Sequence, residues 1–230
     1  MKDNRSRTSL VGGSSYRDSS GRTLEDYPRP SVAVDTALLT VLSDEYKAAV
    51  LAVLQVRRVN DRGWGLPGTF LHPGERLRDA VDRSLRLKAG VTGLQPRQLR
   101  VFDEPDRDDR GWVLSVAHID SVPLARLQAR LPGETRLTPV GRPGRLPYGH
   151  GDIIRLAVDD LRTRYAVAPD PGALLPATFT LRDLRLVHEA VAGGPLQRDT
   201  FRRAMEDLVV ATGELSSGTR GRPAELFARI

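Results

Sequence analysis

Between Gly63 and Gly90 the chain passes from a loop crowded with glycine and proline (Gly63-Trp64-Gly65-Leu66-Pro67-Gly68) through Phe70-Leu71 and a second turn at His72-Pro73-Gly74, and then into one amphipathic helix. Leu77, Ala80, Val81, Ser84 and Leu85 fall on one face of the stretch Glu75 to Ala89, at spacings of three and four. Gly90 is placed to end that helix in left-handed backbone. A helix with one apolar face must bury it against another element. Upstream, Ser31 to Val41 and Ala48 to Val56 are strand-like apolar runs separated by the polar turn Ser43-Asp44-Glu45, which predicts a hairpin of buried strands. Downstream, strands are expected at Leu99 to Phe102 and Trp112 to Ile119, around a polar loop from Asp103 to Gly111. Residues 132–147 read as loop or edge strand. A second helix is expected over Gly151 to Tyr165, with Ile154, Ala157, Val158, Leu161 and Tyr165 in a stripe after a cap at Asp152.

Pro169 to Pro176 (PDPGALLP) reads as a linker, and the pattern changes beyond it. Thr180-Leu181-Arg182-Asp183 has capping-box form before a helix carrying Leu184, Val187 and Val191. After the turn Gly193-Gly194-Pro195 a second helix is predicted from Gln197 to Ala211. It would have Phe201, Ala204, Met205 and Leu208 inward, and Asp199, Arg202, Arg203 and Glu206 outward. Two short apolar segments then enclose Gly218-Thr219-Arg220-Gly221-Arg222-Pro223, the second being Ala224 to Ala228. Helix, turn, helix and a hairpin with a basic tip make a winged helix-turn-helix pattern. Arg202 and Arg203 with Thr200 are the candidate base-reading residues, Arg198 a flanking phosphate contact, and Arg220 and Arg222 candidates for a narrow minor groove.

Composition excludes several classes. The 230 residues contain no cysteine and four histidines, so thiol nucleophiles, disulfides and thiolate metal sites are out. No apolar run is long enough for a membrane span and no leader-like stretch opens the chain, which predicts a cytoplasmic protein. Residues 1–27, rich in Ser, Gly, Arg and Asp, read as a flexible tail. The net charge of +6 points towards a polyanionic partner, yet residues 170–230 hold 8 basic and 8 acidic residues. DNA affinity there must come from a few placed arginines, and the excess lies in the preceding domain.

The segment Thr69 to Val91 resembles the Nudix box, G-x5-E-x7-R-E-U-x-E-E-x-G-U with U apolar. Glu75, Arg83, Leu85, Gly90 and Val91 match. Thr69 stands at the box glycine, and Ser84, Leu87 and Lys88 stand at the three helix glutamates that in Nudix hydrolases hold divalent metal against a diphosphate. Hydrolysis by that route is not expected, and neither a metal nor another cofactor is assigned; Glu75 is left as a structural partner for Arg83. Together with Ser31-Val32-Ala33-Val34-Asp35, the segment Pro105 to Gly111 followed by Ser115-Val116-Ala117, His150-Gly151-Asp152-Ile153-Ile154, Phe179-Thr180-Leu181, Phe201-Arg202-Arg203 and Gly221-Arg222-Pro223, the box makes the chain resemble the Nudix-related transcriptional regulators of the NrtR family.

That resemblance covers the chain from Pro30 onward. It implies an α+β protein: a Nudix-like α/β/α sandwich at residues 28–168, its last part (151–168) a linker helix, followed by a winged helix-turn-helix at 169–230. It further implies a homodimeric repressor that binds double-stranded operator DNA and senses a small anionic nucleotide such as ADP-ribose, while some members answer to sugars. A hydrolase with its metal moved to Glu75 and the aspartates of the 103–109 loop is the enzymatic alternative. Candidate ligand residues are Arg57 and Arg58, able to take a diphosphate in bidentate fashion, and Arg107 and Arg110, for which Asp106, Asp108 and Asp109 compete as partners. Trp64 is placed either to stack on a base or to pack the loop.

Overall fold

The computed structural model describes residues 16–44, 47–58, 63–216 and 223–230. Residues 1–30 and 31–230 form two separate units. In the first, Asp18 accepts hydrogen bonds from the Ser20 and Arg22 amides at 2.8 and 3.0 Å, and the Asp26 carboxylate accepts one from the Thr23 amide at 2.7 Å across a short 3-10 turn, Leu24–Asp26. The later part of the expected tail therefore carries turns of its own, and residues 1–15 lie outside the described set.

The second unit is built on a seven-stranded sheet. Its strands are β1 (Ser31–Asp44), β2 (Lys47–Arg57), β3 (Trp64–Gly65), β4 (Gly68–Phe70), β5 (Arg97–Phe102), β6 (Val113–Ser121) and β7 (Thr135–Pro139). β1 lies at the centre, parallel to β6 from Ser31↔Val113 to Leu39↔Ser121. It is antiparallel to β2 through its second half and to β4 through its first. The expected hairpin thus forms only where β1 and β2 meet near the turn, and β7 is the expected edge strand, paired with β2. Alternation sorts the apolar residues between two faces. Val34, Leu38, Leu54 and Val56 pack under helix α1 (Leu77–Ser84), with its Ala80 and Val81 and with Leu85 just beyond it. Ala37, Leu39, Leu51 and Val53 face helix α2 (His150–Tyr165), with its Ile153, Ile154, Ala157 and Leu161. This is the α/β/α sandwich the sequence predicts.

Two helix ends differ in detail. α1 runs on through Leu85–Ala89 as a π-helical turn before Gly90 terminates it at φ 69°. α2 is capped by Gly149, also left-handed, and Asp152 sits inside the first turn, where it pairs with Arg155 at 2.8 Å. The cap expected at Asp152 is displaced because the helix gains an extra turn's start at His150, which is buried. The apolar stripe of α2 is buried against the sheet and against Val187 and Val191 further along the chain. Among the described residues no helix is long and apolar enough to cross a membrane.

The C-terminal part has β8 (Thr178–Phe179), α3 (Leu181–Ala192), α4 (Arg198–Met205), β9 (Val209–Leu215) and β10 (Glu225–Arg229), with the strands ordered β8-β10-β9. The capping box at α3 forms as read, the Thr180 hydroxyl accepting from the Asp183 amide at 3.1 Å. α4 is shorter than predicted. It stops at Met205, passes through a 3-10 turn, and the residues expected to finish it become β9, because Val209 to Ala211 find a ladder on β10. Phe201 and Met205 point inward with Val209 and Phe227, whereas Ala204 and Leu208 are exposed.

The stretch Pro169 to Pro176 is held rather than free. Asp170 is buried and accepts hydrogen bonds from the Leu174 and Leu175 amides, each at 3.0 Å, from the Tyr165 hydroxyl at the end of α2, and from Arg229 Nε on β10 at 3.1 Å. Val187 and Val191 of α3 join the core of α2 and the sheet, so α3 is shared by both halves of this unit.

Candidate functional site: an arginine-lined pocket and an exposed arginine-bearing helix

β1, β4, the end of α1 and the segment before α2 converge on a pocket of about 390 Å³. Arg57 and Arg58 at the end of β2 line it, as do Lys88 from the π-turn and Arg107 and Arg110 from the loop between β5 and β6. Asp35, Asp108 and Glu134 oppose these five cations, which leaves the wall positive.

Tyr148 organises the cationic side. It holds the left-handed φ of 57°, unusual for a residue with a side chain and costing roughly 1 kcal/mol. In that position its ring lies 4.1 Å from the Arg110 guanidinium and 4.7 Å from that of Arg58, within cation–π range. The Tyr148 hydroxyl accepts from Arg58, and its carbonyl oxygen accepts from Arg107 at 2.6 Å. Arg110 is further fixed by the buried Asp108, whose oxygens accept its Nε and a terminal nitrogen at 2.8 and 2.7 Å. The side chain of Arg107 is 5% exposed and its Nε has no partner.

Beneath this layer sits a buried cluster from three distant segments. The Ser115 hydroxyl donates to Asp35 at 2.5 Å, and His150 Nε2 stands 3.2 Å from the other carboxylate oxygen, close but poorly aligned for a hydrogen bond. His150 Nδ1 accepts the Leu66 amide at 3.0 Å, which assigns the ring proton to Nε2. Burial alone would raise the Asp35 pKa, but facing His150, the Ser115 hydroxyl and Arg107 outweigh it and hold the carboxyl below its ordinary range. Gly68 is obligatory here: a Cβ would lie 2.0 Å from Asp35 Oδ1.

Of the box positions 75, 84, 87 and 88, only the first holds a carboxylate. Glu75 is spent on Arg83, whose Nε and terminal nitrogen each donate to it at 2.8 Å, and Arg83 also reaches Thr69 and the Phe70 carbonyl. Ser84 is buried with an unpartnered hydroxyl, Leu87 is exposed, and Lys88 donates to the Gly68 carbonyl. Among the described residues no three His, Asp or Glu come together as ligands for an ion. The Arg83 hydrogen bond, with the His72 amide, lowers the Glu75 pKa from 4.5 to about 2. A depressed carboxylate pKa contributes stability that is present above the unfolded value and lost as pH falls through the folded one. The Glu75→Gln variant is therefore expected to melt below the parent at pH 6, with the gap closing between pH 4.5 and about 2, as followed by circular dichroism.

Four of the five sequence-predicted ligand residues, Arg57, Arg58, Arg107 and Arg110, meet in the pocket. Trp64 does not line it, and its ring instead carries the Arg136 guanidinium at 4.4 Å. Lys88, Tyr148, Asp35 and His150 were not singled out as ligand candidates from sequence. Lys88 stood there as a lost metal ligand, and Asp35 and His150 only as parts of the family resemblance. On α4, Arg198, Thr200, Arg202 and Arg203 are all exposed, and Gln197 caps the helix by accepting the Thr200 amide at 2.6 Å. Arg220 and Arg222 lie outside the described residues.

A Nudix-like sandwich with a degenerate box, joined through a held segment to a winged helix, defines the Nudix-related class of regulators. The family model for the NrtR DNA-binding winged helix domain matches residues 171–228. NrtR of Shewanella oneidensis, solved with a 27-mer DNA, is 31% identical and superposes with a TM-score of 0.72 over 86% of this chain and 93% of its own. This chain belongs to the NrtR family. The ADPR-responsive transcriptional repressor NtrR of Acinetobacter baylyi is 28% identical over 209 residues, covering 88% of this chain and 83% of the relative. The Nudix domain of the Shewanella protein, solved with ADP-ribose, matches 62% of this chain and 95% of its own at 25% identity, with a TM-score of 0.51.

Proposed function

We propose that this chain is a cytoplasmic, homodimeric transcriptional repressor that binds operator DNA through α4 and the wing, and answers to ADP-ribose in the pocket of its Nudix-like domain. The observation that carries the reading is the pocket itself: Arg57, Arg58, Arg107 and Arg110 converge in it, while the box positions that would bind metal hold Ser84, Leu87 and Lys88. Guanidinium groups suit a diphosphate, and Tyr148 offers an aromatic surface beside them. A site so made binds a nucleoside diphosphate sugar without the means to activate water, so the chain is a sensor and not a hydrolase. The division runs at about residue 169, with the sensor at 28–168 and the DNA reader at 169–230.

Signal transfer follows from the held segment. Tyr148 immediately precedes the Gly149 cap of α2, a rod of roughly 24 Å at 1.5 Å per residue. Tyr165 at its far end bonds Asp170, and Asp170 holds Arg229 of the wing strand. A ligand that reseats Tyr148 shifts α2 against the sheet and alters the spacing of the two winged helices in the dimer. In calorimetry ADP-ribose is expected to bind, and incubation with Mg²⁺ is expected to return it intact by chromatography. Its hydrolysis at an appreciable rate would make the chain an enzyme.

A further inference from the structure

Lys88 occupies a position that the sensor reading leaves without a task. It sits on the π-helical turn Leu85–Ala89, and its ammonium donates to the carbonyl of Gly68. Gly68 lies close against Asp35 and the Val34 carbonyl, where a Cβ would approach to 2.0 and 2.8 Å. The ammonium is thereby pinned at the pocket wall by backbone rather than by a carboxylate, and among the described residues no acid pairs with it. Partial burial of the ammonium, Arg110 and Arg83 lower its proton affinity and Asp35 raises it, although the residue as a whole is exposed. Arg107, also on the wall, keeps a buried Nε without a partner. Repelled cations held in place by the fold are pre-organised for an anion, because the cost of assembling them is met on folding and not on binding.

We propose that Lys88 is the resident cation of this pocket, its ammonium taking the effector's diphosphate directly where Nudix hydrolases rely on a divalent ion, so that binding needs no metal. This rests on reading the pocket as a diphosphate site. An ammonium neutralises phosphate charge but brings no activated water, so the same substitution that removes hydrolysis supplies affinity. The hydrogen bond to Gly68 leaves two of the three ammonium protons for phosphate oxygens.

The test is isothermal titration of the full chain with ADP-ribose in EDTA and in Mg²⁺, and with inorganic pyrophosphate in EDTA. Parent, Lys88→Gln and Lys88→Arg proteins are compared, with thermal melts to confirm that each folds. The parent is expected to bind ADP-ribose with affinity changing less than about twofold between EDTA and Mg²⁺. Lys88→Gln is expected to weaken both ligands by about tenfold to a hundredfold, the scale of a charge-assisted hydrogen bond, and Lys88→Arg to retain most of the affinity. ADP-ribose binding that collapses in EDTA, or that is unchanged in Lys88→Gln, overturns the proposal. Pyrophosphate bound in a Lys88-dependent way without any binding of ADP-ribose supports the lysine site and overturns the nucleotide reading instead. If the parent binds neither anion, both fall.

Discussion

Replacing Arg202 and Arg203 together by Ala is expected to abolish specific retardation of operator DNA, while thermal unfolding stays within about 2 °C of the parent. Both side chains stand on the exposed face of α4, opposite Phe201 and Met205, which anchor the helix in the winged-helix core. Arg202 makes one exposed contact, to Glu206 at 3.1 Å, and pairs of that kind add little to stability. The DNA term is larger. A bidentate arginine contact to a base discriminates by roughly ten- to a hundredfold, so the loss of two reaches about a hundredfold or more. Because residues 170–230 carry equal numbers of acidic and basic side chains, no diffuse charge stands ready to compensate. A double variant that retards its operator as well as the parent would remove α4 from the interface.

Asp170→Ala is the change expected to cost most in stability, about 3–5 kcal/mol in urea unfolding, as for removal of one partner of a buried ion pair. The loss strands several groups at once. The Leu174 and Leu175 amides and the Tyr165 hydroxyl lose their acceptor, and the Arg229 guanidinium, half-buried above the Phe179 ring, loses its counter-charge. Since these groups come from α2, the connecting segment and the last strand, the variant is also expected to loosen the winged helix from the sensor. Asp170→Asn keeps an acceptor and removes only the charge, so it is expected to fall between the two. Should Asp170→Ala unfold like the parent, the segment is a linker after all, as its Pro-Asp-Pro-Gly composition suggests.

That composition shows why some of the structure was legible and some was not. The face of α1 and the stripe of α2 could be read because 3.6-residue periodicity is local, and Thr180 to Asp183 because a capping box is written within four residues. The end of α4 could not. Leu208 continues the helical spacing from Phe201 and Met205, and only the ladder to β10 turns the next residues into strand. Pro169 to Pro176 reads as a linker because nothing nearby reveals Arg229, 59 residues on, as the partner of Asp170. The pocket divides in the same way. Its arginines were visible as cations beside the box loop, but Tyr148 depends on a left-handed backbone that tyrosine does not advertise. The Asp35, Ser115 and His150 cluster depends on β1, β6 and α2 meeting. Trp64 was reachable by two readings, and its ring carries Arg136 instead of lining the pocket.

The most direct measurement is the affinity of the full chain for DNA from upstream of its own gene, by mobility shift at moderate salt, as ADP-ribose is titrated in EDTA. A sensor that reads ADP-ribose without metal and passes the signal to α4 requires retardation without ligand and at least a tenfold change in DNA affinity at saturation. Retardation that ADP-ribose leaves untouched, or no retardation at all, would contradict it.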